Sequence, residues 1–161
     1  MNEIAESRDL LNLVNEFKCS LKIMICDDDS SVRISLKRII NKCGEEKRIF
    51  VDIEETINGL ECLFKVYNDY LMGNKYDLVF LDENMPFMKG SICSNILKNM
   101  YFEGQMNKIK LISISSFEDQ EIQKFLKQQG FDDFLQKPHS RETISKFFQN
   151  FLSQWNDWLI N

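Results

Sequence analysis

Residues 77–86 read DLVFLDENMP, a short apolar run that ends in an acidic residue and a turn. Two similar stretches are KIMICDDD at residues 22–29 and KLISISS at residues 110–116. A strand that is apolar almost without a break has both faces covered, which is typical of the parallel sheets of α/β proteins. The three stretches therefore predict central strands of a parallel sheet.

Outward from these stretches, the chain alternates between strand-like and helix-like segments. Strands are predicted at residues 21–26, 49–53, 78–81, 109–114 and 131–135. Segments with a helical spacing of apolar residues follow each of them, at residues 33–40, 60–71, 92–100 and 120–129 and again after residue 138. Five strands alternating with helices in 161 residues predict right-handed βαβ units in a single α/β domain.

The two ends of the chain add further apolar spacing. Residues 1–20 carry apolar side chains at roughly helical spacing, so we expect an extra N-terminal helix or a linker there. The last helix carries a wide apolar stripe, formed by Ile144, Phe147, Phe148, Phe151, Leu152, Trp155, Trp158 and Leu159. Either the N-terminal helix packs against this stripe, or the stripe is an interface for a partner or a second copy.

Composition excludes several classes of function. The chain has 20 lysine and arginine residues against 25 acidic ones, a net charge of −5, so we expect no binding to nucleic acid. No long apolar run or signal peptide is present, and we expect a cytosolic or nuclear protein without membrane contact. The five cysteines form no CxxC pair and have apolar neighbours, which predicts buried, reduced thiols and no zinc site.

Polar residues end the predicted strands. The first strand ends in Asp27-Asp28-Asp29, the third in Asp82, and the fifth in Gln136-Lys137. In open α/β sheets the functional crevice lies beyond these strand ends. Clustered carboxylates need a neutralising cation, and oxygen ligands alone favour Mg²⁺. A carboxylate beside a metal and a lysine can accept a phosphoryl group as an aspartyl phosphate.

Four stretches together resemble the receiver domain of two-component response regulators: residues 22–29, 77–90, 112–116 and 130–138. The resemblance covers about residues 21–153. It implies a flavodoxin-like (βα)5 three-layer sandwich with a parallel five-stranded sheet in the order 2-1-3-4-5. The receiver domain would then span residues 21–161, including an extended C-terminal helix.

The resemblance also implies roles for particular residues. Asp82 corresponds to the phosphoacceptor of the family. Asp27 and Asp28 correspond to the acidic pair that holds Mg²⁺, with Asp82 and the backbone carbonyl of Asn84 as further ligands.

The remaining site positions are also filled by competent residues. Ser115 stands at the hydroxyl position that contacts the phosphoryl group, Lys137 is the strand-end lysine, and Phe134 matches the aromatic residue that turns inward with the switch. Three departures are Lys89, where the family often has aspartate, His139, where it has an apolar residue, and Phe134, which lacks the hydroxyl of the commoner tyrosine. We expect His139 at the surface, at the start of the last helix. These departures bear on partner choice and on the energetics of the switch rather than on phosphotransfer.

The implied function is that of a phosphorylatable switch in two-component phosphorelay signal transduction. Its donor would be a histidine kinase or a histidine phosphotransfer protein, and it would catalyse only its own phosphotransfer and dephosphorylation. Its output would pass to a homodimer partner or a downstream protein through the fourth helix, fifth strand and fifth helix. Residues 139–161 leave room for one helix, so we expect a stand-alone receiver or a receiver segment of a hybrid histidine kinase.

Two other functions remain as alternatives. One is a phosphorylation-independent interaction module. The other is a phosphohydrolase with an aspartyl nucleophile, which the sequence disfavours because Asp82 is followed by Glu83-Asn84 and not by a D-x-D pattern.

Overall fold

The computed structural model describes residues 19–116 and 120–160, the last six of them by their backbone alone. In this part of the chain, five strands alternate with five helices. They are β1 (Cys19–Cys26), α1 (Ser30–Lys47), β2 (Ile49–Thr56), α2 (Gly59–Leu71), β3 (Leu78–Asp82), α3 (Gly90–Phe102), β4 (Lys110–Ser115), α4 (Gln120–Gln128), β5 (Asp133–Gln136) and α5 (Arg141–Ile160).

The five strands form one sheet in the order β2-β1-β3-β4-β5. All four strand pairings are parallel. Every residue of β3 is buried, as expected for the central strand of a covered sheet. The predicted parallel α/β fold with strand order 2-1-3-4-5 is confirmed. Because the chain order reverses between β1 and β3, the carboxyl ends of these strands flank a crevice.

The core consists of two apolar layers, one on each face of the sheet. Alternate residues of β1 divide between them: Ile23 and Ile25 face the layer of α1 and α5, whereas Met24 and Cys26 face the other. That second layer includes side chains of α2, α3 and α4. The molecule is therefore the three-layer sandwich that the sequence predicts, with its polar edge at the strand ends.

The strand bounds differ from the prediction by one to three residues, most at β1, at β5 and at β2, which runs to Thr56 rather than to residue 53. β1 begins at Cys19 rather than at residue 21, because Cys19 and Ser20 pair with the first residues of β2. The predicted helix or linker over residues 1–20 is thus wrong for its last two residues, and the rest of it lies outside the described residues. β5 begins at Asp133 rather than at residue 131, because the chain turns at Gly130 (φ 102°) and the Phe131 amide still donates a hydrogen bond to the Leu126 carbonyl of α4.

The cysteines follow the expected burial. The described part of the C-terminal stripe is covered by the sheet and α1, whereas the sequence predicts the N-terminal helix or a partner there. All five cysteines are free thiols, four are buried, and Cys19 is half-buried. The stripe residues buried in the layer of α1 and α5 are Ile144, Phe147, Phe148 and Phe151. Trp155, Trp158 and Leu159 lie outside the described side chains. Within the described part of the chain, no helix combines the length and apolar character needed to cross a membrane.

Candidate functional site

The three aspartates after β1 have different surroundings. The Asp27 side chain is fully buried, and its Oδ1 accepts a hydrogen bond of 2.9 Å from the Asp29 amide. Asp28 is exposed. Asp29 is the N-cap of α1, where its carboxylate accepts a 2.7 Å hydrogen bond from the Ser31 amide. The first carboxylate therefore points into the site, the second lies at its rim, and the third begins the helix.

Asp82 ends β3 and is only 7% exposed. The Asn84 amide donates a 2.9 Å hydrogen bond to its Oδ2. The loop that follows is held by Glu83, whose carboxylate accepts hydrogen bonds from the amide and the hydroxyl of Ser91 at the start of α3. At Gly90 a Cβ atom would lie 2.2 Å from the Asp82 carbonyl oxygen, so only glycine allows this close approach.

Lys137 connects the two buried carboxylates. Its Nζ lies 2.6 Å from Asp27 Oδ2 and 2.7 Å from Asp82 Oδ1. The backbone carries it to this position, because the Lys137 amide donates a 2.8 Å hydrogen bond to the Ser115 carbonyl at the end of β4. The peptide bond between Lys137 and Pro138 is cis.

The carboxylates also form a set that could bind a metal ion. Asp27, Asp28 and Asp82 each offer an oxygen, and these oxygens lie within 4.8 Å of one another. Oxygen donors without imidazole or thiolate fit a hard cation such as Mg²⁺. The predicted metal-binding side chains thus do come together in the fold.

Electrostatics explains why this cluster favours a cation. Burial raises the pKa of Asp82, and the negative charge of Asp27 raises it further. The hydrogen bond and the charge of Lys137 lower it, but the pKa of Asp82 stays above its ordinary value. Burial alone would lower the pKa of Lys137, but hydrogen bonds to Asp27 and Asp82 hold it above its ordinary value. One ammonium group therefore faces two buried carboxylates, and a divalent cation would relieve the remaining repulsion.

Arg33 is a site residue that sequence reasoning missed. Its Nη1 donates hydrogen bonds of 2.7 Å to the Asp27 carbonyl and 3.3 Å to the Asp28 carbonyl. Its Nε lies 3.3 Å from a carboxylate oxygen of Glu55 on β2. Arg33 therefore fixes the backbone of the acidic loop. A basic residue in the first turn of α1, four positions after Asp29, was the available signal.

The remaining predicted positions lie around Lys137. Ser115 is buried at the end of β4 and pairs in register with Gln136 on β5. Phe134 is half-buried on β5, and its ring centroid lies 6.4 Å from that of Phe131. The fold thus brings Ser115 beside Lys137 and places Phe134 on the neighbouring strand.

His139 differs from its expected surface position. It is half-buried in a cleft of about 360 Å³ beside the site, and both of its ring nitrogens are buried. Burial, with a smaller contribution from the Lys137 charge, lowers its pKa. The chain segment after Pro138 therefore turns this ring inward before α5 begins at Arg141.

Residues 23–149 match the family model of the response regulator receiver domain. The chain belongs to this family. Receiver domains act in two-component signalling and are in general not enzymes. Five parallel strands in the order found here, with the acidic cluster at their carboxyl ends, agree with that assignment.

Relatives of this receiver domain include histidine kinases and a response regulator. It is 25% identical over 142 residues to the peroxide stress-activated histidine kinase mak1 of Schizosaccharomyces pombe, covering 88% of this chain and 8% of the kinase. It is 24% identical over 134 residues to the two-component response regulator 24 of Arabidopsis thaliana, covering 83% of this chain and 84% of that protein. The chain thus spans less than a tenth of the kinase.

Solved structures share the fold. A two-component response regulator from Clostridium difficile superposes with a TM-score of 0.68 at 22% identity, covering 84% of this chain and 98% of that one. The receiver domain of a sensor histidine kinase from Pseudomonas aeruginosa has a magnesium ion coordinated in its active-site cleft. It superposes with a TM-score of 0.66 at 14% identity, covering 83% of this chain and 98% of that one.

Proposed function

We propose that this receiver domain accepts a phosphoryl group on Asp82 from a phosphohistidine donor, which is a histidine kinase or a histidine phosphotransfer protein. The observation that carries the proposal is the position of Lys137, whose Nζ lies 2.7 Å from Asp82 Oδ1 and 2.6 Å from Asp27 Oδ2. An ammonium group there faces the place where a phosphoryl group on Asp82 would put its negative oxygens.

The transfer is a displacement at phosphorus. A carboxylate oxygen of Asp82 forms the new bond to phosphorus while the phosphorus–nitrogen bond of the donor breaks, and the donor imidazole keeps the electron pair. The Asn84 amide and the Lys137 ammonium each hold one oxygen of Asp82, so the carboxylate is oriented before the donor arrives. Lys137 then offers its charge to the phosphoryl oxygens.

Magnesium is the proposed cofactor. The side chains of Asp27, Asp28 and Asp82 and the backbone carbonyl of Asn84 would hold it, and the first three bring their oxygens within 4.8 Å of one another. When bound, Mg²⁺ neutralises part of the negative charge on the phosphoryl group. The Pseudomonas aeruginosa neighbour, with magnesium in its active-site cleft, supports this choice of metal.

Phosphorylation would act as a switch through Ser115 and Phe134. Ser115 lies at the end of β4, the strand next to the one that ends in Asp82. Its carbonyl accepts a hydrogen bond from the Lys137 amide. The Ser115 hydroxyl would bind the phosphoryl group, and Phe134 on β5 would then turn inward. This population shift would change the surface formed by α4, β5 and α5, through which we propose a downstream protein or a second copy binds.

The chain would work either as a stand-alone receiver or as a receiver segment of a hybrid histidine kinase, and in either case in the cytosol or nucleus. Matches to several hybrid histidine kinases, each to a small part of the kinase, support the second arrangement. Its only catalysis would be its own phosphotransfer and dephosphorylation.

The direct test is incubation with acetyl phosphate and Mg²⁺, followed by intact mass measurement. The wild-type chain is expected to gain one phosphoryl group, and Asp82→Asn none. Asp52→Asn, which changes an exposed carboxylate on β2, is the matched control and should gain as much as the wild type. A wild-type chain that gains nothing would favour the phosphorylation-independent interaction module.

A further inference from the structure

Helix α2 carries a row of exposed apolar side chains, which we name the α2 stripe. It consists of Leu60, Phe64, Tyr67 and Leu71, which are 54%, 71%, 39% and 61% exposed. The opposite side of the helix is already buried against the sheet. A helix that is apolar on both sides is typical of one that has partners on both sides. The α2 stripe is therefore a candidate interaction surface.

The spacing of the α2 stripe points to a helix as its partner. Successive members are four, three and four residues apart, which is the spacing along the seam of two packed helices. The order of these spacings is the same from either end of the helix. A second copy in antiparallel orientation would thus place Leu60 opposite Leu71 and Phe64 opposite Tyr67. Such self-complementarity is what a two-fold symmetric interface requires.

Charge does not oppose this pairing. The α2 stripe contains no charged residue, although the chain has a net charge of −5. Lys65, on its flank, is already neutralised by Glu54 at 2.5 Å. Glu61, which is exposed beside Leu60, lies opposite Tyr70 in this antiparallel register, so two copies can meet along α2 without bringing like charges together.

The exposed area is also sufficient. With Met72, which is 75% exposed at the end of the helix, the stripe exposes about 600 Å² on each copy, so complete burial in both copies would reach about 1,200 Å² in total, the lower end of stable interfaces. By contrast, among the described side chains of α4, β5 and α5, Phe125 is the only exposed large apolar one. The described apolar surface thus favours α2.

We propose that two copies of this chain associate through antiparallel α2 helices, with a two-fold axis between Phe64 and Tyr67. The interface uses none of the phosphorylation-site residues. It therefore forms without phosphorylation and leaves the surface of α4, β5 and α5 free.

The test is sedimentation equilibrium of the full, unphosphorylated chain across a range of concentrations. The wild type is expected to dimerise, and Phe64→Glu is expected to raise the dimer dissociation constant more than about tenfold, since aromatic residues at an interface centre contribute most to binding. Phe125→Glu, a matched change on α4, should leave the constant unchanged. Thermal melting followed by circular dichroism verifies that each variant is folded.

Two results would overturn the proposal. One is a wild-type chain that stays monomeric at every concentration, which would leave the stripe to a different partner. The other is a dimer that Phe125→Glu weakens and Phe64→Glu does not.

A charge-pair experiment tests the orientation. In an antiparallel pair, Phe64→Glu/Tyr67→Lys places opposite charges across the seam, whereas Phe64→Glu/Tyr67→Glu places like charges there. The first double variant should dimerise at least about fivefold more tightly than the second. In a parallel pair both variants would face like charges, so equal dissociation constants would contradict the antiparallel arrangement.

Discussion

At the scale of single residues, the acidic loop shows how identical side chains acquire different roles. Asp27 is buried and lies 2.6 Å from the Lys137 ammonium, Asp28 is exposed, and Asp29 caps α1. The sequence predicts that these aspartates converge with Asp82, because parallel strand ends meet at one edge. It does not predict which one begins the helix or that Arg33 holds the loop carbonyls, since both depend on the angle at which α1 leaves the sheet.

Neighbouring aspartates therefore give a matched test of the metal site. Asp28→Ala should leave the melting temperature of the metal-free protein unchanged or raise it, because like-charge repulsion falls. The rise in melting temperature on adding Mg²⁺ should shrink by more than about half, since a ligand is lost.

Asp29→Ala is the control for Asp28→Ala. This substitution should cost about 1 kcal/mol of stability, because the helix cap is lost. The rise in melting temperature on adding Mg²⁺ should stay as large as in the wild type. Scanning calorimetry with and without Mg²⁺ measures both. An undiminished Mg²⁺ effect in Asp28→Ala would count against the site.

The backbone under Asp82 gives a second test at this scale. In Gly90→Ala the new Cβ would meet the Asp82 carbonyl oxygen at 2.2 Å, so the loop must move. We expect a loss of about 3 kcal/mol in the free energy of unfolding and slower labelling by acetyl phosphate. Gly73→Ala is the control: Gly73 has φ 82° and no atom within 4 Å of an added Cβ. It should cost only about 1 kcal/mol and leave labelling unchanged, as urea denaturation and intact mass would show.

At the scale of elements, a network of charges joins β1, β2 and α2. Lys22 on β1 lies 2.9 Å from Glu54 on β2 and 2.5 Å from Asp69 on α2. Lys65 on α2 lies 2.5 Å from Glu54. Burial alone would raise the pKa of Glu54, but the hydrogen bonds from Lys65 and Lys22 outweigh it and lower the pKa to about 2. The carboxylate thus stabilises the contact of α2 with the edge of the sheet.

This network predicts a pH dependence of stability. Because the pKa of Glu54 is lower in the folded state than its ordinary value of 4.5, its contribution is fully present above that value and is lost as the pH falls towards 2. Glu54→Gln should therefore lower the free energy of unfolding by about 1–2 kcal/mol at pH 7.

The difference between Glu54→Gln and the wild type should narrow as the pH falls from 4.5 towards 2, which denaturant titrations at several pH values measure. Glu142→Gln, in the exposed pair with Lys146 on α5, is the control and should change little. If the free energy of unfolding of Glu54→Gln stays below that of the wild type by the same amount down to pH 2, the charge of the Glu54 carboxylate is not the cause of the lost stability.

Element types were predictable from the sequence because the central strands are apolar almost throughout, as in residues 78–81. The residues at which the strands begin and end were less predictable. Nothing in the local pattern shows that Cys19 pairs with Ile49, since that pairing depends on where β2 begins. The inward position of His139 likewise depends on the path of the chain after Pro138. A histidine at a position where the family has an apolar residue does not reveal that path.

At the scale of the whole molecule, the parallel sheet brings distant residues into one site. Asp27, Asp82 and Lys137 are far apart in sequence, and they meet because β1, β3 and β5 all end at the same edge. This convergence was predictable, since it follows from parallel topology alone. The α2 stripe is not evident from the sequence, because residues 60–71 have the pattern of an ordinary core-facing helix, and only the fold shows which side of that helix the sheet covers.

The central claim is that Asp82 carries the phosphoryl group, and chemical trapping tests it most directly. Borohydride reduces an aspartyl phosphate to homoserine, which mass spectrometry of peptides can locate. After treatment with acetyl phosphate and Mg²⁺, we predict homoserine at residue 82 and at no other aspartate, and none in Lys137→Ala or without Mg²⁺. Homoserine at Asp27 or Asp28, or none at all in a wild-type chain that has gained a phosphoryl group, would contradict the account.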